Sequence, residues 1–172
     1  MNIQYILDDY QNRFKNKQID DKLCEPDLLM NVFNIDSILK TKNMQYWNRE
    51  LGMCWQKIII DTFKNHKDYL PAFKNGTEEP CDLIVGDYAI DTKYRIGSGD
   101  SGTLKKFRKN ALFLQEKNFK PLLLVLRKDN LVKKLRGWDI LTDEESFEFI
   151  LKHSGIDLKK TLMELQGKFL IY

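Results

Sequence analysis

Residues 80–95 read PCDLIVGDYAIDTKYR. Two β-prone runs, Asp82–Val85 and Tyr88–Tyr94, flank Gly86 and Asp87. A two-residue loop with glycine first predicts a tight hairpin of the primed type, because its twist matches that of the strands. The turn also sets the register: Val85 faces Tyr88, Ile84 faces Ala89, Leu83 faces Ile90 and Asp82 faces Asp91. Side chains alternate with period two, so Leu83, Val85, Tyr88 and Ile90 form an apolar face and Asp82, Asp91 and Lys93 share the other.

On the N-terminal side of this hairpin the apolar spacing is helical. Residues 2–15 carry Ile3, Ile6, Leu7, Tyr10 and Phe14 on one stripe. A second helix is expected near Pro26, with Leu28, Leu29, Val32 and Phe33 inward. A third spans about Met44–Asn65, with a stripe of Trp47, Leu51, Cys54, Trp55, Ile58 and Ile59. Pro71, Asn75-Gly76 and Pro80 then mark a turn-rich stretch.

On the C-terminal side, Thr103–Asn118 reads as a helix with Leu104, Phe107, Ala111 and Leu114 inward and Lys105, Lys106, Arg108 and Lys109 crowding its first turns. Residues 121–127, PLLLVLR, have the apolar character of a strand covered on both faces. Trp138–Leu141 reads as another strand. Thr142 with Glu145 forms a capping box for a helix that Gly155 stops, and a last helix spans about Leu158–Gln166. The pattern is a single α/β layer domain: a helical part over 1–70, a core with a short mixed sheet over 71–150, and a C-terminal helix in 151–172.

The 172 residues include 28 Lys/Arg and 25 Asp/Glu, a net charge of +3. The charge is unevenly spread. Asp91–Arg136 holds 13 bases and 4 acids, a balance of +9, against −6 for the rest. A basic segment between acidic flanks points to a polyanionic partner, with nucleic acid first. With 42% hydrophobic and 31% charged residues the composition excludes disordered and fibrous classes. No apolar run approaches the ~20 residues of a membrane span. Asp8 and Asp9 stand where a signal peptide would have its apolar centre. Cys24, Cys54 and Cys81 form no CxxC pair, so neither a disulfide framework nor a zinc ribbon is expected, and a reducing cytoplasm fits. His66 and His153, the only histidines, lack metal-type spacing.

Two carboxylates directly opposite on paired strands lie about 5 Å apart and repel unless a cation neutralises them. Hydrated Mg²⁺ suits such a pair: it takes one or two carboxylates, keeps several waters and leaves room for phosphate oxygens. Lys93, two residues after Asp91, could hold an attacking water or stabilise charge growing on a phosphate. A solvent-facing hairpin that happens to carry Asp, Asp and Lys is the plain alternative.

Pro80-Cys81-Asp82 followed by Asp91-Thr92-Lys93 resembles the PD-(D/E)xK signature of metal-dependent nucleases, with Cys81 set between the proline and the aspartate. The longer string DTKYRIGSGDSGTLKKF, with PLLLVLR and GWDI after it, is similar to the ApaLI-like type II restriction endonucleases over roughly residues 79–150. The resemblance implies a restriction-endonuclease-like core, Mg²⁺-dependent cleavage of double-stranded DNA leaving 5′-phosphates, Asp82 and Asp91 as metal ligands, and Lys93 as the catalytic lysine. It also implies an acid from the helix before the motif; Glu50 is the first candidate and Asp61 the second. A homodimer follows, because two strands must be cut and each chain carries one site. Trp47, Tyr46 and Met44 are then a candidate dimer surface, with core packing as the alternative, and a DNA methyltransferase is the expected genetic partner. The rivals are a repair or recombination nuclease of the same fold and a non-catalytic DNA- or nucleotide-binding protein.

Gly97–Gly102 also matches G-x-G-x-x-G. Against a dinucleotide site, the preceding strand carries Asp91, Lys93 and Arg95, and Asp129 follows Gly102 by 27 residues where ~20 is usual. Gly102 is followed by Thr-Leu-Lys, so the loop is no P-loop. As a DNA-contact loop it offers Arg95, Ser98, Asp100, Ser101, Thr103, Lys105, Lys106 and Lys109 to phosphates or base edges. A bland connector that caps the next helix is the third reading.

Overall fold

The computed structural model describes residues 3–15, 26–96, 101–127 and 135–171, with the Ser101 side chain left aside. Its elements in chain order are α1 (Ile3–Lys15), α2 (Leu28–Phe33), α3 (Ser37–Thr41), α4 (Met44–Phe63), β1 (Tyr69–Pro71), β2 (Leu83–Val85), β3 (Tyr88–Arg95), α5 (Ser101–Glu116), β4 (Lys120–Arg127), β5 (Asp139–Thr142), α6 (Glu144–Ser154) and α7 (Leu158–Glu164). The strands form one mixed sheet in the order β1-β2-β3-β4-β5. β1–β2 and β2–β3 are antiparallel, and β3–β4 and β4–β5 are parallel. The architecture is therefore α/β, a five-stranded sheet flanked by helices.

The hairpin forms in the register its turn dictates: Val85↔Tyr88, Ile84↔Ala89, Leu83↔Ile90. Gly86 has φ +55° and Asp87 is not left-handed, which is the type II′ pattern and the reason glycine comes first. β4 lies between β3 and β5 with residues 121–126 all buried, as its apolar run requires.

The sheet separates two cores. One face, with Leu83, Val85, Ile90, Tyr94, Leu122 and Leu124, packs on α1, α2, α4, α6 and α7. The other, with Ile84, Ala89, Leu123 and Val125, packs on Ala111 and Leu114 of α5 and on Trp138. The Trp138 indole N–H donates to the Phe107 carbonyl at 2.8 Å, tying α5 to the start of β5.

Several expectations are corrected. Tyr46 and Trp47 are not a dimer surface: both are buried, and Trp47 packs edge-on against Phe14 with ring centres 5.0 Å apart. Met44 is half-buried. Leu104 is not inward but exposed. The α6 cap is Asp143, not Thr142. Glu145 reaches back to accept from the Thr142 N–H at 3.1 Å and its hydroxyl at 3.3 Å, so the two residues of the box meet without starting the helix. Gly155 ends α6 with φ +72°. β1 and α3 had no expectation behind them; one has three residues and ends in a proline, the other has five.

Candidate active site

β3 carries Asp91 and Lys93 on the face that looks toward α5, two residues apart and therefore side by side. The Lys93 ammonium lies 2.5 Å from Asp91 Oδ2 and also donates to the Thr92 carbonyl at 3.2 Å. The Phe107 ring stands over it, 5.8 Å from the ammonium. Asp91 is nearly covered, with its side chain 13% exposed, while Lys93 is 35% exposed. The cluster thus has a mouth on the lysine side.

Asp82 does not continue the ladder. The paired register ends at Leu83, and the Asp82 N–H donates to the Ile90 carbonyl at 2.8 Å. Its carboxylate turns to β3, where Oδ2 accepts from both the Thr92 N–H and the Thr92 hydroxyl, each at 2.7 Å. The carboxylate takes the backbone donor that a longer β2 would have taken. Its other oxygen, Oδ1, accepts from Gln56 Nε2 of α4 at 2.5 Å. Thr92 Oγ1 and Gln56 belong to the α4 side of the sheet, so the Asp82 carboxylate does not share the α5-facing side of Asp91 and Lys93 that its register suggested, although its charge still acts on both.

The charges remain coupled. Burial pushes the Asp91 carboxyl up from its usual 3.8 to about 6; Lys93 opposes this, Asp82 adds to it, and Lys106 of α5 opposes it more weakly. Burial lowers the Lys93 pKa, but Asp91 and Asp82 outweigh that and the net shift is upward. Lys93 is accordingly an ammonium at neutral pH. Burial pushes the Cys81 thiol up to about 12, with Asp91 and Asp82 adding, so the free thiol stays protonated at neutral pH.

The other anticipated residues are distributed unevenly. Glu50 is not brought to the aspartates. It is buried beside α1, 2.9 Å from Arg49 and 3.8 Å from Arg13, and its field acts on Tyr10, Tyr46 and Cys54. Asp61 is buried in the last turn of α4 and pairs with Lys64. The α4 residue that does meet the motif is Gln56, which no expectation singled out. It follows Glu50 by six residues, and the helix turns about 100° per residue, so the two point about 120° apart.

Among the described residues no three His, Cys, Asp or Glu gather into a metal-type cluster. The carboxylate oxygens of Asp82 and Asp91 are hard donors that suit Mg²⁺ with several retained waters.

Lys105, Lys106 and Lys109 are exposed on the outer side of α5, as is Thr103 at its start, and Arg95 is half-buried at the end of β3. Lys109 pairs with Glu78 at 3.1 Å. A cleft of about 520 Å³ runs along this side, with Lys105, Arg108 and Lys109 on one wall and Asn75 on the other. Ser98, Asp100 and the Ser101 side chain lie outside the described residues, as does most of the glycine loop. Among the described residues no helix is long and apolar enough to cross a membrane. Comparison with protein-family models, with curated proteins and with solved structures gives no match.

Proposed function

We propose that the chain is a Mg²⁺-dependent endonuclease of double-stranded DNA with a PD-(D/E)xK core, acting as a homodimeric type II restriction enzyme. The observation that carries the reading is the Asp91–Lys93 pair on β3 with Asp82 bonded to Thr92 between them, next to the basic first turns of α5.

Asp82 Oδ1 and Asp91 would hold the cation. When bound, it supplies Lewis-acid polarisation of a phosphoryl oxygen and of an attacking water. The chain's own residues do the rest. Lys93 is protonated and a third exposed, so it would donate to a phosphate oxygen and stabilise the charge that grows there. Phe107 roofs the ammonium and limits its hydration. Lys106 acts on Asp91, and Lys105 and Arg108 line the cleft along α5, where they would take backbone phosphates. Base reading is assigned to the 97–102 loop and to the dimer, and a methyltransferase encoded beside the gene would fit this role.

The test is a plasmid digest with Mg²⁺, with EDTA, and with Asp91→Ala and Lys93→Ala. Discrete fragments are expected with Mg²⁺ alone, none with EDTA or Asp91→Ala, and cutting about 10²–10³-fold slower with Lys93→Ala. Full cutting by Asp91→Ala overturns the assignment. Cutting without discrete fragments replaces restriction with a structure-directed repair activity of the same core.

A further inference from the structure

Asp82 is nearly saturated before any cation arrives. A carboxylate oxygen has two lone-pair sites. Both on Oδ2 are taken by Thr92, one of them by a backbone N–H at the point where strand pairing stops. Freeing Oδ2 would strand that backbone donor. On Oδ1, Gln56 takes one site and leaves one. On Asp91, Oδ2 is engaged by Lys93. Asp82 can therefore meet one ion only, and a second ion would have Asp91 as its sole carboxylate ligand. The α4 side chain at this place is a neutral amide, so no third negative charge is added. Two aspartates and one lysine leave a single net negative charge for the cation to meet.

We propose that Gln56 is a positioning residue that fixes Asp82 as a one-oxygen ligand, and that each chain accordingly holds one divalent ion and not two. The inference rests on the metal reading above. Gln56 acts through Asp82: it pins the carboxylate rotation from the α4 side while Thr92 pins it from β3. Orienting partners of this kind change metal affinity by about 10–100-fold when removed.

The test is calorimetric titration of the full chain with Mn²⁺ in the absence of DNA, on wild type, Gln56→Met and Gln56→Ala. Gln56→Met keeps the length and packing of the side chain and removes the donor, so it serves where Gln56→Ala does not fold. Melting in EDTA separates loss of fold from loss of positioning. One ion per wild-type chain is expected, with unchanged stoichiometry and at least about tenfold weaker binding in the variants. Two ions per chain, or Gln56→Met binding as wild type does, overturns the inference and leaves the metal reading standing. A wild-type chain that takes up no Mn²⁺ overturns both.

Discussion

Lys93 and Tyr94 are neighbours on β3, point to opposite faces of the sheet, and join polar clusters built on different plans. On the Tyr94 side, Asp27 is the hub. Its Oδ1 accepts from the Met30 N–H at 3.0 Å and so caps α2. Its Oδ2 accepts from the Tyr94 hydroxyl and from Arg127 at 2.8 Å, with the Lys40 ammonium 3.8 Å away. Lys40 donates to the Tyr94 hydroxyl, and its ammonium lies 4.3 Å from the centre of that ring. The Lys40 side chain is 2% exposed and that of Arg127 10%. On the Lys93 side the lysine pairs with Asp91 and is a third exposed, Asp82 is held instead by Thr92 and Gln56, and burial raises the Asp91 pKa. Buried charge that is closed and mutually bonded fastens elements together; buried charge that is open and unbalanced is placed to receive something. Here the closed cluster binds α2, α3, β3 and β4 into one frame, and the open one is mounted on that frame.

The sharpest way to break the contrast is Asp27→Ala. It leaves Lys40 and Arg127 without their shared carboxylate and removes the α2 cap, so a loss of about 3–5 kcal/mol is expected in urea unfolding. A change under 1 kcal/mol would mean that the cluster is not what fastens the N-terminal helices to the sheet.

The next effect is smaller and has the opposite sign. In EDTA, the unfolded chain releases the Asp91 proton near the usual 3.8 and the folded chain near 6. Between those values the folded state binds more protons, so stability falls as pH rises through the window and the loss is complete above it. The drop is on the order of 1–3 kcal/mol, and Asp91→Asn removes it. Unfolding free energies of the two proteins at pH 4 and pH 7 check this. A constant difference between them would show that Asp91 titrates normally.

The smallest effect extends the contrast outward from the open cluster. Lys105→Ala and Arg108→Ala are each expected to lower the slope of log K against log salt for duplex binding by about one, with little change in fold stability. Fluorescence anisotropy between 50 and 200 mM salt reads this slope directly. A slope that does not move places the duplex elsewhere.

How much of this was legible beforehand varies with the range of the interaction. The hairpin and its register follow from a glycine and a two-residue period, all within a dozen residues. The basic helix and the buried strand also announce themselves by composition. Asp91 beside Lys93 needs only the strand period. What was misread depends on distant contacts. Glu50 and Gln56 lie on the same helix, and nothing local says which of the two meets the hairpin. That is set by how α4 is rotated when Trp55 reaches the Leu124 carbonyl, 69 residues away. Trp47 and Tyr46 could have faced a partner chain, but Phe14 and Phe33 of α1 and α2 complete an aromatic core around Trp47.

The sequence by itself determined most of the local pieces: the longer helices and strands, where the hairpin turns, and that Asp91 and Lys93 stand side by side on β3. Turn sterics and side-chain periodicity act within a few residues, and one sequence is enough to read them. Only the tertiary structure decided that Asp82 leaves the ladder for Thr92 and Gln56, that Phe107 of α5 stands over the Lys93 ammonium, and that Asp27 and Arg127 meet across 100 residues. Those outcomes depend on how helices are rotated and layered on the sheet to bury their apolar faces together, a property of the whole packed chain and of no segment alone.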